Sequence, residues 1–237
     1  MEQRWPLMGG KRIIAVCGHY GSGKTELAVS LALLAAREKP FPRAALIDLD
    51  IANPYFRSRE QRRLLEESGV SVYGSAYREE ITAELPALGA GARAPLEDES
   101  CLCIVDLGGN GEGAKVIRQF GRYFQEGGFE ALAVVNANRP ETATLEGTLE
   151  HLSALESAMG FHLTGIANNC HLLMETTAQT VLKGRRLCQK ASGAADLPVL
   201  LDCYPAPLVS RQALEAIGFG DTLLALGMHM RPSWLDK

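Results

Sequence analysis

Consecutive apolar residues recur along the chain in RIIAVC, AALIDLD, CLCIVDLGG, LAVVNAN, LTGIANN and PVLLDCY, each followed by a stretch with helical spacing. A strand with one wet face alternates apolar and polar residues, whereas a continuous apolar run marks a strand covered on both faces. The pattern therefore predicts an α/β fold, a mostly parallel sheet with helices on both faces. In TELAVSLALLAARE, Leu27, Leu31 and Leu34 fall on one helical face. Ser58 and Gln61 make a capping box for a helix that Gly69 ends, and another helix is expected from about Thr144 to Met159, stopped by Gly160. The stretch from about Tyr77 to Ser100 contains Pro86, Gly89, Gly91 and Pro95 and reads as an irregular connection with one short helix. The apolar C-terminal stretch from Arg211 is broken by Gly218, Gly220 and Gly227 and lacks a basic amphipathic face, so it is expected to dock onto the domain.

Composition narrows the class. The 237 residues show no break that would divide them, so a single domain spanning 1–237 is expected. A net charge of -4 leaves no basic footprint for nucleic acid. No apolar run reaches the ~20 residues needed to cross a bilayer, and MEQRWPLMGGKR lacks a signal-peptide core, so a cytoplasmic protein without integral membrane contact is expected. The six cysteines include no C-x-x-C and are expected to be reduced thiols. Cys101 and Cys103 lie two apart on a strand and read as buried packing rather than a metal site. His171, beside Cys170, has no partner at ligand spacing and reads as a loop residue.

Chemistry concentrates in CGHYGSGKTEL. Gly18, Gly23, Lys24 and Thr25 satisfy G-x-x-x-x-G-K-[ST], following an expected strand and opening an expected helix. In such a phosphate-binding loop, glycines let backbone N–H groups turn around phosphate, the lysine reaches the β- and γ-phosphates, and the threonine hydroxyl faces Mg2+. The stretch Gly18, His19, Tyr20, Gly21, Ser22, Gly23, Lys24, Thr25 and Glu26 is therefore the expected nucleotide cradle. Two strand-end acids follow where such a site needs them, and a third lies two residues beyond one of them. Asp106 ends CIVD in the position of a magnesium-holding carboxylate, and Gly108 with Gly109 lets backbone approach a γ-phosphate. Asp48 reads as a further magnesium carboxylate and Asp50 as the group orienting attacking water; turn capping is the alternative for both.

The glycine loop, the Asp-x-Asp strand end, DLGG and an Asn after a late strand together resemble the MinD/ParA/CobQ-type nucleotide-binding family, in the P-loop class of the nitrogenase iron protein and dethiobiotin synthetase. Within it, GHYGSGKTELA, IDLDIANPYFRSRE, VNANRP and NNCHLLMET look like those of stand-alone ATP-binding proteins, over about Arg12 to Ala216. The resemblance implies ATP with Mg2+ and a homodimer formed face to face over nucleotide, and it names no further protein partner. One position departs from the pattern: where the MinD/ParA branch has a lysine that crosses to the partner's phosphates, this chain has His19, followed by Tyr20. His19 either acts across a dimer or, with Tyr20, shapes the loop.

No Asn-Lys-x-Asp run that would read guanine occurs, which favours adenine. Asn169 matches the family's adenine-contacting asparagine, and an amide can pair with adenine N6 and N7; Asn168 is its neighbour and alternative, and capping of the next turn is the structural reading of both. The expected activity is hydrolysis of ATP to ADP and phosphate as a conformational switch. Two alternatives stand beside it: a small-molecule enzyme of the dethiobiotin synthetase or cobyrinate amidase type, and an assembly ATPase or metallochaperone for a redox enzyme.

Overall fold

Each of the six apolar runs forms a strand, and two four-residue strands join them at the edges of a single sheet of eight among the described residues. The structure is a computed structural model and describes residues 5–7, 10–50, 61–74, 85–109, 111–125 and 127–230. The strands are β1 (Ile13–Gly18), β2 (Arg43–Asp48), β3 (Val70–Tyr73), β4 (Cys101–Asp106), β5 (Phe129–Val135), β6 (Gly165–Asn168), β7 (Val199–Pro205) and β8 (Leu223–Leu226). Every pairing is parallel, in the order β3-β2-β4-β1-β5-β6-β7-β8. The helices are α1 (Lys24–Glu38), α2 (Arg62–Glu67), α3 (Leu85–Glu97), α4 (Gly111–Lys115), α5 (Leu145–Met159), α6 (Ala178–Ala195) and α7 (Arg211–Glu215).

Because successive strand residues face opposite ways, β1 feeds two cores. Ile13, Ala15 and Cys17 pack with Phe120, Leu152, Leu155 and Cys188 on one face. Ile14 and Val16 pack with Leu27 and Leu31 of α1, Leu65 of α2 and Leu224 of β8 on the other. Leu27 and Leu31 are wholly buried, and each contributes about 1.5–3 kcal/mol by leaving water. Cys101 and Cys103 both lie in the first core, as their two-residue spacing on β4 requires.

Helix ends follow the sequence closely. Thr144 caps α5 by accepting a hydrogen bond from Gly147 N, and Gly160 ends the helix at φ 82°. Gly69, with φ 88°, follows α2 as expected; Gln61 stands before the helix with no side-chain cap bond, and Ser58 of the expected capping box lies outside the described residues. The connection from Tyr77 to Ser100 is more regular than expected: α3 occupies 85–97 with Pro95 inside it, while 77–84 lie outside the described residues. Pro86 stands in the first turn, where a missing N–H costs nothing, and burial of Ala92 and Leu96 supports the rest.

Beyond β7 the C-terminal stretch docks as expected, adding β8 to the sheet edge and then passing the first turns of α1. There Met230 N donates to Glu26 Oε2 at 2.8 Å and Gly227 N to Ser30 Oγ at 3.4 Å. No helix among the described residues is long and apolar enough to cross a membrane.

The sheet winds one way through β2 and β3 and the other way from β5 onward, so the winding reverses at β1. Beyond the carboxyl ends of strands at such a reversal, connecting loops diverge and leave a crevice. Tyr20, Asp50, Gly109, Arg139 and Asn169, each just after one of β1, β2, β4, β5 and β6, come together there.

Candidate functional site

The glycine loop leaves β1 at Gly18 and enters α1 at Lys24. Gly23 stands before the helix at φ 83° and ψ 23°, with no side-chain cap bond. The first-turn N–H groups of α1 are thus not answered by a cap at this position, which suits an anion. A Cβ on Gly23 would overlap the Asn169 amide nitrogen, so both backbone angle and space demand glycine.

Lys24 and Thr25 are 4% and 6% exposed, and three carboxylates converge on them. Parallel pairing of β2 with β4 sets Asp48 directly beside Asp106, and pairing of β1 with β4 sets Asp106 beside Val16. Asp50 N donates to Asp48 Oδ1 at 3.0 Å, and Asp50 Oδ2 lies 3.3 Å from Lys24 Nζ. Burial pushes the Asp106 carboxyl up to about 8; Lys24 opposes the rise, Asp48 and Asp50 add to it, and the Thr25 hydroxyl favours the ionised form. Both Asp106 oxygens are buried without a full hydrogen bond. A buried carboxylate beside another carboxylate and a hydroxyl is a set of hard oxygen donors that fits Mg2+. The expected metal residues Thr25, Asp48 and Asp106 therefore do come together. Gly109 also reaches the loop, since a Cβ there would stand 2.9 Å from Tyr20 N and 3.1 Å from Lys24 Nζ.

Other expected residues occupy different places. Asn169 is buried beneath the loop and its Nδ2 donates to Ser22 O at 2.8 Å, so it props the loop backbone. Asn168 faces away, donating to Val181 O and Asp202 Oδ1. His19 turns toward α5: its Nδ1 lies 3.5 Å from Glu141 Oε2, and its ring meets His151 edge to face at 5.6 Å. Tyr20 is 53% exposed. The Glu26 carboxylate is turned onto Ser30 and Met230, away from the loop.

Sequence reasoning did not place two side chains beside the glycine loop. Arg139, after β5, donates from Nε to Gly21 O at 2.9 Å. His171 is a loop residue, as expected, but its ring packs against the cradle, with Nε2 where a Cβ on Gly23 would approach to 3.2 Å. Burial, with Arg139 nearby, holds the His171 imidazole down to about 4, so it is neutral at pH 7. Burial and then His19 do the same for His151. The runs VNANRP and NNCHLLMET contain Arg139 and His171, but nothing in their spacing relates either residue to Gly21 or Gly23.

No family model matches the chain, and no curated protein does. Similar solved structures include the cell division protein FtsY of Thermotoga maritima, with a TM-score of 0.55 and 20% identity over 80% of this chain and 60% of that one. FtsY of Mycoplasma mycoides gives 0.54 and 13% identity over 79% and 58%. The signal recognition particle 54 kDa protein of Aeropyrum pernix, solved in complex with GDP, gives 0.53 and 21% over 84% and 42%. The chain thus spans 42–60% of the length of these three proteins. The common ground is the fold, a P-loop NTPase-like α/β sheet flanked by helices. The narrower MinD/ParA resemblance receives no specific support from them.

Proposed function

We propose that this protein binds Mg2+-ATP at the loop Gly18–Thr25 and hydrolyses it to ADP and phosphate as a conformational switch, with residues 1–237 acting as one nucleotide-binding domain. The observation that carries the reading is the convergence of buried Lys24 and Thr25 with Asp48, Asp50 and Asp106 at the loop's end. Lys24 would bind the β- and γ-phosphates, and the loop's amides would cradle them. Thr25, Asp48 and Asp106 would hold Mg2+, which would further neutralise phosphate charge. Asp50, beside Lys24, orients the attacking water by accepting its hydrogen bond, and Gly109 leaves room for the γ-phosphate.

Two parts of the reading are finer. Adenine is the proposed base, because the chain lacks an Asn-Lys-x-Asp run; with one Asn169 N–H engaged by Ser22, its other N–H and Oδ1 would meet the adenine edge. A second copy is the proposed protein partner, for exposed Tyr20 and the exposed Leu172, Leu173 and Met174 lie on the cradle and on a loop that flanks it. Calorimetry with Mg2+-ATP tests the site: Lys24→Ala should lose binding, and unchanged affinity overturns the assignment. Phosphate release tests the chemistry. Asp50→Asn should keep ATP bound while slowing turnover, and a parental rate removes Asp50 from the mechanism.

A further inference from the structure

The turn that begins the cradle meets one short segment after β5 at both of its ends. Ser22 N donates to His19 O at 3.1 Å, closing a turn over His19–Ser22. The carbonyl of that same Gly21–Ser22 peptide accepts from Arg139 Nε at 2.9 Å, and a Cβ on Gly21 would meet the guanidinium at 2.7 Å. At the other end His19 Nδ1 lies 3.1 Å from Tyr20 O and 3.5 Å from Glu141 Oε2, two residues after Arg139. Gly21 has φ 74°, where glycine moves readily between alternatives. With Arg139 in place both groups of this peptide are held, the N–H by His19 O and the C=O by the guanidinium; without it only the turn's own hydrogen bond opposes a flip.

We propose that Arg139 is a positioning residue for phosphate binding, holding the Gly21–Ser22 peptide in the orientation the cradle needs, with Glu141 steadying the far end of the turn. A planar trans peptide points its C=O and N–H in opposite directions, so fixing Gly21 O also fixes Ser22 N–H. Asn169 does the same one peptide later through Ser22 O. The clamp comes from the loop after β5, so the shape of the cradle depends on where that loop stands. Held toward Glu141 and His151, His19 belongs to this clamp in its own chain.

The proposal rests on the phosphate-binding reading of the loop, and the test separates the two. Arg139→Ala removes the donor; Arg139→Lys keeps a charge but loses the planar Nε–H. Both should bind Mg2+-ATP roughly tenfold more weakly, the loss expected for one hydrogen bond from a charged group. In nucleotide-free protein, both should exchange the amide hydrogen of Ser22 faster than the parent, with little change in melting temperature. Arg63→Gln, at an exposed pair on α2, serves as the control. Full affinity in Arg139→Lys would mean charge alone matters and would overturn the positioning role, as would parental amide exchange in both variants. Should Arg139→Ala not fold, Arg139→Lys carries the test. A parent that binds no nucleotide sinks the site reading, and amide exchange still decides the clamp.

Discussion

Replacing Lys24 by methionine keeps the bulk of the stem and removes an ammonium 3.3 Å from Asp50 Oδ2, in a pair whose side chains are 5% and 1% exposed. Taking one partner from a buried ion pair costs about 3–5 kcal/mol, because the remaining charge stays in a poor solvent. Here Asp106 can relieve the charge by holding a proton. Its carboxyl is pushed up to about 8 from the ordinary 3.8, first by burial, and Lys24 is the larger of the two groups that oppose that rise, ahead of Thr25. The unfolded chain releases this proton above about pH 4 and the folded chain keeps it to about pH 8, so stability from this group is full in acid and falls across that window as pH rises. Without Lys24 the window extends upward. Lys24→Met should therefore be destabilised by about 3–5 kcal/mol at pH 6, and by up to about 1 kcal/mol more at pH 8.5, because the parent begins to lose the Asp106 proton near pH 8 and the variant does not. Urea unfolding followed by circular dichroism at both pH values, without nucleotide or magnesium, measures it. Adding Asp50→Asn should return part of the loss at pH 8.5. Equal destabilisation at the two pH values, or a cost under about 1 kcal/mol, would refute the argument that Lys24 holds these carboxylates together.

Asn169→Ala leaves the buried Ser22 carbonyl without its donor at a cost of about 1–3 kcal/mol, so ATP and GTP should both bind more weakly; a drop in the ATP/GTP ratio would add base reading to loop support, and parental affinity for both would exclude either role. Anaerobically purified protein should carry no stoichiometric metal at Cys101 and Cys103, which lie within the apolar core; elemental analysis finding zinc, nickel or iron that disappears in Cys103→Ser would overturn the packing reading.

The central strands were legible because burial on both faces leaves an unbroken apolar run. The edge strands β3 and β8 were not: each has four residues and at least one side chain outside the core, so too little periodicity remains to distinguish it from a loop. In α3 the breakers Pro95, Gly89 and Gly91 outweighed the alanines in the sequence, yet burial of Ala92 and Leu96 carries the helix through. The cradle was legible because all its parts are adjacent in sequence, and Asp48 and Asp106 because each ends an apolar run. Arg139 and His171 were not, because their relation to Gly21 and Gly23 exists only once β5 and β6 stand beside β1. Asn169 was visible as a residue, and its hydrogen bond to Ser22 became visible only with the loop folded above it.

The loop's anchors have an order in time. The carbonyl of Gly21 awaits Arg139, 118 residues later; that of Ser22 awaits Asn169, 147 residues later; and Glu26 awaits Met230, 204 residues later. At roughly 5–20 residues per second of synthesis, the second anchor follows the loop out of the ribosome by about 7 to 30 seconds. A nascent chain therefore displays the phosphate-binding motif well before it owns the structure that shapes it, and a fragment ending short of Arg139 carries the glycines and the lysine with neither carbonyl held.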